Sequence, residues 1–193
     1  TNEKDVTDPK YPYAMSKLIA ENIIKHWGEV YNINFVSLRL FNVYGTRSRT
    51  NSAYGAALGV FLKQKMEKKP FTIVGNGNQK RDFIYVSDVC EAFYKVAIKN
   101  LKKEILNIGF GKPRSVNDMG KVLGGKKTYV PKRPGEPDLT HANISKAKRL
   151  LKWKPKVKLE DGLNIVLKNI DYWKNAPLWT PKKIEVATKN WFR

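Results

Sequence analysis

YAMSKLIAENIIKHWGEVYNINFVSLRLFNVYG, residues 13–45, decides the reading of the fold. Apolar residues recur there at Ala14, Leu18, Ile19, Ile23, Ile24, Trp27 and Val30. Steps of three and four predict an amphipathic helix over 13–31. Asn32, Ile33 and Asn34 make a turn, and Phe35-Val36-Ser37-Leu38-Arg39-Leu40 reads as a short strand. A helix feeding a short apolar strand is the αβ half of a parallel-sheet unit, so the expected class is α/β.

The downstream chain keeps that alternation. Helices are predicted over 56–68, 88–98, 116–123, 145–151 and 160–173, with a last one over 181–192. Ser87 and Ser115 stand where N-caps belong. Strands are predicted over 71–74, 83–86, 105–108 and 127–130, and Gly75 and Gly77 make a tight turn after the first of these. Cys90 falls in an apolar helical pattern and is assigned to the core; Trp153, Trp173, Trp179 and Trp191 are assigned to packing.

Composition narrows the function. The chain has 193 residues, 41% of them apolar, which is enough to bury a core. Its formal net charge is +20, which invites a nucleic-acid reading. The lysines are scattered, however, and the densest run, 152–158, is interrupted by Trp153 and Pro155. No zinc finger or aromatic RNA-binding strand accompanies them, so the lysines read as solvated surface and no nucleic-acid partner is expected. No apolar run approaches the roughly 20 residues of a membrane span, and residues 1–10 are polar, so no membrane partner is expected and a cytoplasmic setting is. A single cysteine excludes a disulfide framework. With His26 and His141 isolated, no metal site is expected.

The chemistry-bearing spacing is Tyr13 and Lys17. Four residues apart near a helix start, they share one face, one turn apart. An ammonium beside a phenol favours the phenolate, and such a phenol can take a proton from an alcohol.

Other motifs follow in order: Tyr11-Pro12, Leu18-Ile19-Ala20-Glu21, Arg39-Leu40-Phe41-Asn42-Val43-Tyr44-Gly45, Pro70-Phe71-Thr72-Ile73-Val74-Gly75-Asn76-Gly77-Asn78-Gln79-Lys80-Arg81-Asp82-Phe83, Leu106-Asn107-Ile108-Gly109 and Arg133-Pro134-Gly135-Glu136. This series resembles the NAD-dependent epimerase/dehydratase family of the extended short-chain dehydrogenases, in particular its UDP-glucose 4-epimerase-like members. The resemblance runs from about residue 9 to about residue 173.

It implies roles for the matching positions. Tyr13 would be the acid/base; Lys17 would hold the cofactor ribose and promote ionisation of the phenol. Phe41 would line the nicotinamide end of a bound NAD. Asn42 would contact the diphosphate or sugar, Arg81 and Arg133 would clamp phosphate, and Glu136 would reach the nucleotide ribose. A guanidinium fork suits a diphosphate better than an ammonium does. Arg39 is expected to anchor a strand end, Asp82 to form local hydrogen bonds and Asp88 to cap. Arg47 and Arg49, in a loop beside the site, could meet phosphate or be solvated.

Family members begin with a glycine-rich dinucleotide-binding unit and carry a Ser/Thr some two dozen residues before the tyrosine. Neither is in this sequence. The chain thus reads as a C-terminal portion: the trailing part of a doubly wound Rossmann-type parallel sheet (1–45 and 83–109) plus a smaller α/β substrate domain (46–82 and 110–193). The implied activity is NAD-dependent epimerisation of a UDP-hexose at C4 through a 4-keto sugar, by a homodimer. Ile19, Ile23 and Trp27 would serve either the dimer or the monomer core. A 4,6-dehydratase and a non-catalytic nucleotide-sugar binding fragment are the alternatives, and the isolated chain is expected to show little turnover.

Overall fold

The computed structural model describes residues 1–48, 57–132 and 136–188. The predicted α/β alternation is what the chain forms. The long helix α1 (Pro12–Val30) leads into β1 (Val36–Leu40) and β2 (Asn42–Tyr44). After α2 (Ala57–Met66) come β3 (Phe71–Val74), β4 (Lys80–Arg81), β5 (Phe83–Tyr85) and α3 (Val86–Ala97). Then follow β6 (Glu104–Ile108), β7 (Arg114–Ser115), α4 (Val116–Leu123) and β8 (Lys127–Val130). The rest is helical: α5 (Ser145–Leu151), α6 (Leu159–Lys168), a 3₁₀ turn (Ile170–Trp173) and α7 (Pro181–Thr188).

Three strand pairs are parallel. β1 runs beside β6 with Val36 opposite Glu104 and Leu40 opposite Ile108. β2 pairs with β5, and β3 with β8. The two-residue strands β4 and β7 pair antiparallel. β2, β4 and β7 escape sequence reading because two or three residues, partly charged, carry no periodic signal.

Two hydrophobic clusters hold these elements. One gathers Phe61, Leu62, Phe71, Ile73, Met119, Leu163, Val166 and Trp173, all essentially sealed from solvent. Phe61 and Phe71 stack there with ring centroids 4.9 Å apart. The other joins Ile84, Val89, Ala92, Leu106 and Ile108 to Ala142, Ile144, Ala147, Leu151 and Trp153. Trp153 and Trp173 are therefore packing residues as expected, and Trp179 is half-buried; Trp191 lies outside the described residues.

Several local expectations change. Cys90 is exposed, not core. The buried stripe of α3 runs through Val89 and Ala92 to the half-buried Val96, at helical spacing, and Cys90 falls off it. That helix opens at Val86, one residue before Ser87, and no side chain caps it. Asp88 is no cap either: its Oδ2 accepts from the backbone N–H of Lys156 and of Val157, both at 3.0 Å. Ser115 does cap α4, in a reciprocal box with Asp118. The helix expected over 160–173 stops at Asn169, whose side-chain amide donates to Ile165 O at 2.9 Å. A side-chain amide competing for helix carbonyls disfavours continuation.

The apolar residues of α1 give the largest surprise. Its buried positions are Glu21 and Gly28. Ile19 is 49% exposed, Ile23 53% and Trp27 56%. None of the three joins either hydrophobic cluster of this chain.

Candidate functional site

α1 begins at Pro12, preceded by an extended Tyr11. Proline fits a first helical position because its missing N–H has no intrahelical acceptor there. The start is thus defined, and it sets Tyr13 and Lys17 on one face of the first two turns. Both side chains are exposed, and Lys17 Nζ lies 5.3 Å from the Tyr13 ring centroid. The ammonium sits over the ring face, a cation–π arrangement. No carboxylate stands in the first turn, so the positive helix end near Tyr13 is not offset there.

One turn beyond Lys17, Glu21 fixes the rotation of α1. Its carboxylate accepts from Arg39 Nε and Nη2, each at 2.8 Å, from Ser37 Oγ at 3.4 Å, and pairs with Lys25 Nζ at 3.1 Å. Arg39 donates also to Glu3 O at 3.2 Å. Arg39 therefore anchors its strand, as expected. The guanidinium bonds hold the Glu21 carboxyl down to about 2, outweighing the opposing effect of burial.

Past β1 the chain reaches the proposed ligand residues. Phe41 is half-buried against the second cluster, and its N–H donates to Ile108 O at 2.9 Å. Asn42 N–H donates to Asp82 O at 3.0 Å. Asp82 is fully buried, and its hydrogen bonds are long-range rather than local as expected. Its carboxylate accepts from Phe110 N–H at 2.6 Å, from Gly111 N–H at 3.0 Å and from Ala142 N–H at 2.9 Å. Its own N–H donates to Thr140 Oγ1 at 3.2 Å. Asp82 thus ties the strand end bearing Arg81 to two other segments. Gly109 permits this: a Cβ there would lie 2.6 Å from Ala142 Cβ and 3.1 Å from Asp82 Oδ2.

Beside that tie, Arg81 Nη2 meets Glu136 Oε1 at 3.0 Å, with both side chains mostly buried. Residues read separately in the sequence are here a direct ion pair. Gly75 and Gly77 both hold positive φ, +65° and +75°, the conformation glycine adopts without strain. Their turn bounds a cavity of about 370 Å³ lined by Val74, Asn76, Asn78, Gln79, Lys132 and Glu136. Asp138 lines it too and takes the Lys132 ammonium at 2.6 Å, so the wall sets amides beside carboxylates and suits a neutral, hydrogen-bonding ligand group. Arg133 and Arg49 lie outside the described residues. Arg47 is exposed at positive φ.

Sequence reasoning does not single out Thr140 or the amides of the cavity wall. Thr140 lies in a polar, non-periodic stretch, and only the fold brings it to Asn42.

The comparison with family models decides the affiliation: the model described as the NAD dependent epimerase/dehydratase family matches residues 1–109. The chain belongs to that family. Among curated epimerase/dehydratase relatives, the UDP-glucuronate 4-epimerase of Thermodesulfobacterium geofontis is 32% identical over 94% of this chain. The dTDP-D-glucose 4,6-dehydratase of Mus musculus is 33% identical over 91% of it. A solved structure of the UDP-glucuronic acid 4-epimerase of Bacillus cereus, in complex with UDP-glucuronic acid and NAD, superposes with a TM-score of 0.79 at 34% identity over 90% of this chain. The chain spans about half the length of these relatives: 54%, 53% and 55%.

Proposed function

We propose that the protein carrying this chain is an NAD-dependent 4-epimerase of a nucleotide-diphosphate sugar, a UDP-hexose, and that the chain supplies the sugar-nucleotide site and the proton-transfer group. The Tyr13–Lys17 pair carries the reading: an exposed phenol with an ammonium 5.3 Å from its ring centroid at a helix start. In this role Tyr13 Oη removes the proton of the sugar C4 hydroxyl as C4 gives up its hydride, which together yield a 4-keto sugar, and returns the proton to the oxygen after the sugar has turned. A nicotinamide bound there would supply the acceptor and donor for that hydride. Lys17 fits the cofactor's ribose, since an exposed ammonium donates hydrogen bonds to hydroxyls, and Phe41 offers an aromatic face for the nicotinamide end.

Asn42, Arg81, Arg133 and Glu136 hold the nucleotide, with the 370 Å³ cavity taking its nucleoside part. The Arg81–Glu136 pair supports a division of labour: the guanidinium faces phosphate and the carboxylate accepts from ribose hydroxyls. Binding energy placed on the nucleotide is remote from C4, so the sugar can rotate without losing its anchor.

The 33% identity to a 4,6-dehydratase supports a second reading, which begins with the same proton removal. We propose further a cytoplasmic homodimer, supported by the exposed Ile19, Ile23 and Trp27 on α1. Among the described residues no helix is long and apolar enough to cross a membrane.

Calorimetric titration of the 193-residue chain with UDP-glucose tests the core of this reading. Saturable one-to-one binding, lost in Arg81→Ala, is expected. Absence of binding at millimolar ligand overturns it.

A further inference from the structure

Three segments lie side by side next to the Arg81–Glu136 pair. Asn42 N–H donates to Asp82 O at 3.0 Å; Lys80 N–H donates to Asp138 O at 2.8 Å, and Thr140 N–H to Lys80 O at 3.1 Å. This ladder places the half-buried Thr140 against Asn42. Its hydroxyl has two partners. It accepts from the N–H of Asp82 at 3.2 Å, and it donates to Asn42 Oδ1 at 3.0 Å.

The direction of that second bond matters. A hydroxyl carries one proton and accepts through its lone pairs. Here the Asn42 atom that meets the hydroxyl is Oδ1, which only accepts, so the Thr140 proton goes to Asn42. A carboxamide has one accepting and one donating end, and only a 180° flip exchanges them. Holding Oδ1 on Thr140 keeps both protons of Asn42 Nδ2 available. A diphosphate offers acceptors alone, so it gains from the amine end and is repelled by the carbonyl end.

We propose that Thr140 is a positioning residue for the nucleotide diphosphate: through its hydroxyl it locks the Asn42 amide with the NH₂ end turned to the phosphate oxygens. The inference rests on the reading of Asn42 as a diphosphate ligand and assigns its orientation to a residue that the family motifs quoted above do not include. Asp82 completes the device. Its carboxylate holds Ala142 N–H at 2.9 Å, two residues beyond Thr140, while its N–H holds the Thr140 hydroxyl. The loop is thus fixed at both points, and the amide has a rigid neighbour rather than a mobile one.

The mechanism requires no change in charge and no proton transfer. Its effect is preorganisation: the amide does not have to flip when ligand arrives. A neutral hydrogen bond of this kind contributes about 1 kcal/mol, or roughly a fivefold bias.

Two probes separate positioning from folding. UDP carries the diphosphate; uridine carries the same nucleoside without it. In calorimetric titrations of the full chain, Thr140→Val is expected to bind UDP about five- to tenfold more weakly with uridine affinity unchanged. Thr140→Ser, which keeps the hydroxyl, should restore UDP binding. Asn42→Asp, which can still accept from Thr140 but puts a carboxylate oxygen in place of the NH₂, should weaken UDP by tenfold or more and spare uridine. Wild-type UDP affinity in Thr140→Val overturns the inference, as does equal loss of UDP and uridine or failure of Thr140→Ser to restore binding. If the wild-type chain binds uridine but not UDP, or neither, the nucleotide-sugar reading itself fails, and the inference with it.

Discussion

Arg39 grips Glu21 through two parallel hydrogen bonds, Nε to Oε2 and Nη2 to Oε1, each 2.8 Å long. The pair welds the helix carrying Tyr13 and Lys17 to strand β1, and Glu21 is among the few buried positions of that helix. Removing Arg39 takes two charged hydrogen bonds from a buried carboxylate and leaves it to Lys25 and Ser37. Arg39→Ala should therefore cost about 3 kcal/mol in denaturant unfolding. Retention of wild-type stability would mean that the helix is oriented by something else.

Acid should expose the same pair. The Glu21 carboxyl is held at about 2, below its ordinary value of 4.5. A lowered folded value means that the contribution is complete above about pH 4.5 and is lost as pH falls through about 2. It amounts to about 3 kcal/mol at most. Unfolding free energy of the wild type should fall across that window, and Glu21→Gln should flatten this part of the profile. An unchanged profile in Glu21→Gln would refute the assignment.

Turnover should depend on the Tyr13 hydroxyl. In a full-length protein carrying this chain, Tyr13→Phe should lower kcat by about 10²-fold or more, as expected for loss of a general acid/base, while UDP affinity stays near wild type. A coupled assay and a titration read the two effects separately. Wild-type kcat in this variant would remove Tyr13 from the chemistry.

Asp82→Asn is expected to be costly despite its near-identical shape. The carboxylate serves N–H groups of Phe110, Gly111 and Ala142; an amide replaces one acceptor by a donor facing donors. A loss of about 2–4 kcal/mol in denaturant unfolding should follow, from a buried N–H left unsatisfied beside a repelled one. A shift below half a kcal/mol would show that the segments are held together elsewhere.

Gly162→Ala reverses the usual sign for a helix. Alanine in place of glycine in a helix interior ordinarily stabilises by about 1 kcal/mol. At Gly162, inside α6, a Cβ would lie 2.2 Å from the Tyr44 hydroxyl oxygen and 2.8 Å from Tyr85 Cδ2. Both tyrosines are buried, and burial pushes the Tyr44 phenol well above its ordinary value. Overpacking should win, with a net loss of about 1–3 kcal/mol, read as a lowered Tm.

The sequence announces what depends on near neighbours. Ser115 stands just before the apolar pattern of α4, and its role as cap is legible from that position alone; the reciprocal bond to Asp118 is the structure's addition. The helix start, expected at Tyr13 and found one residue earlier at Pro12, and the Tyr13–Lys17 face are legible for the same reason. Asp82 is different: its polar partners stand at 110, 111 and 142, and nothing local marks them, so hydrogen bonds expected nearby turn out to be tertiary. Thr140 and Asn42 are likewise invisible as a pair until strands bring them together. The apolar stripe of α1 is correct as a periodicity, but periodicity records which residues avoid water, and it names no partner for Ile19, Ile23 or Trp27.

None of the four strand pairs among the described residues joins neighbours in sequence. Val36 must wait for Glu104, and Phe71 for Lys127. At ribosomal speeds those intervals last on the order of several seconds. During synthesis, β1 therefore emerges well before β6, its hydrogen-bonded partner among the described residues. Long loops must close before any parallel pairing is rewarded, which slows folding. Yield from cells should accordingly respond to growth temperature and chaperone supply more strongly than stability of the finished molecule would suggest.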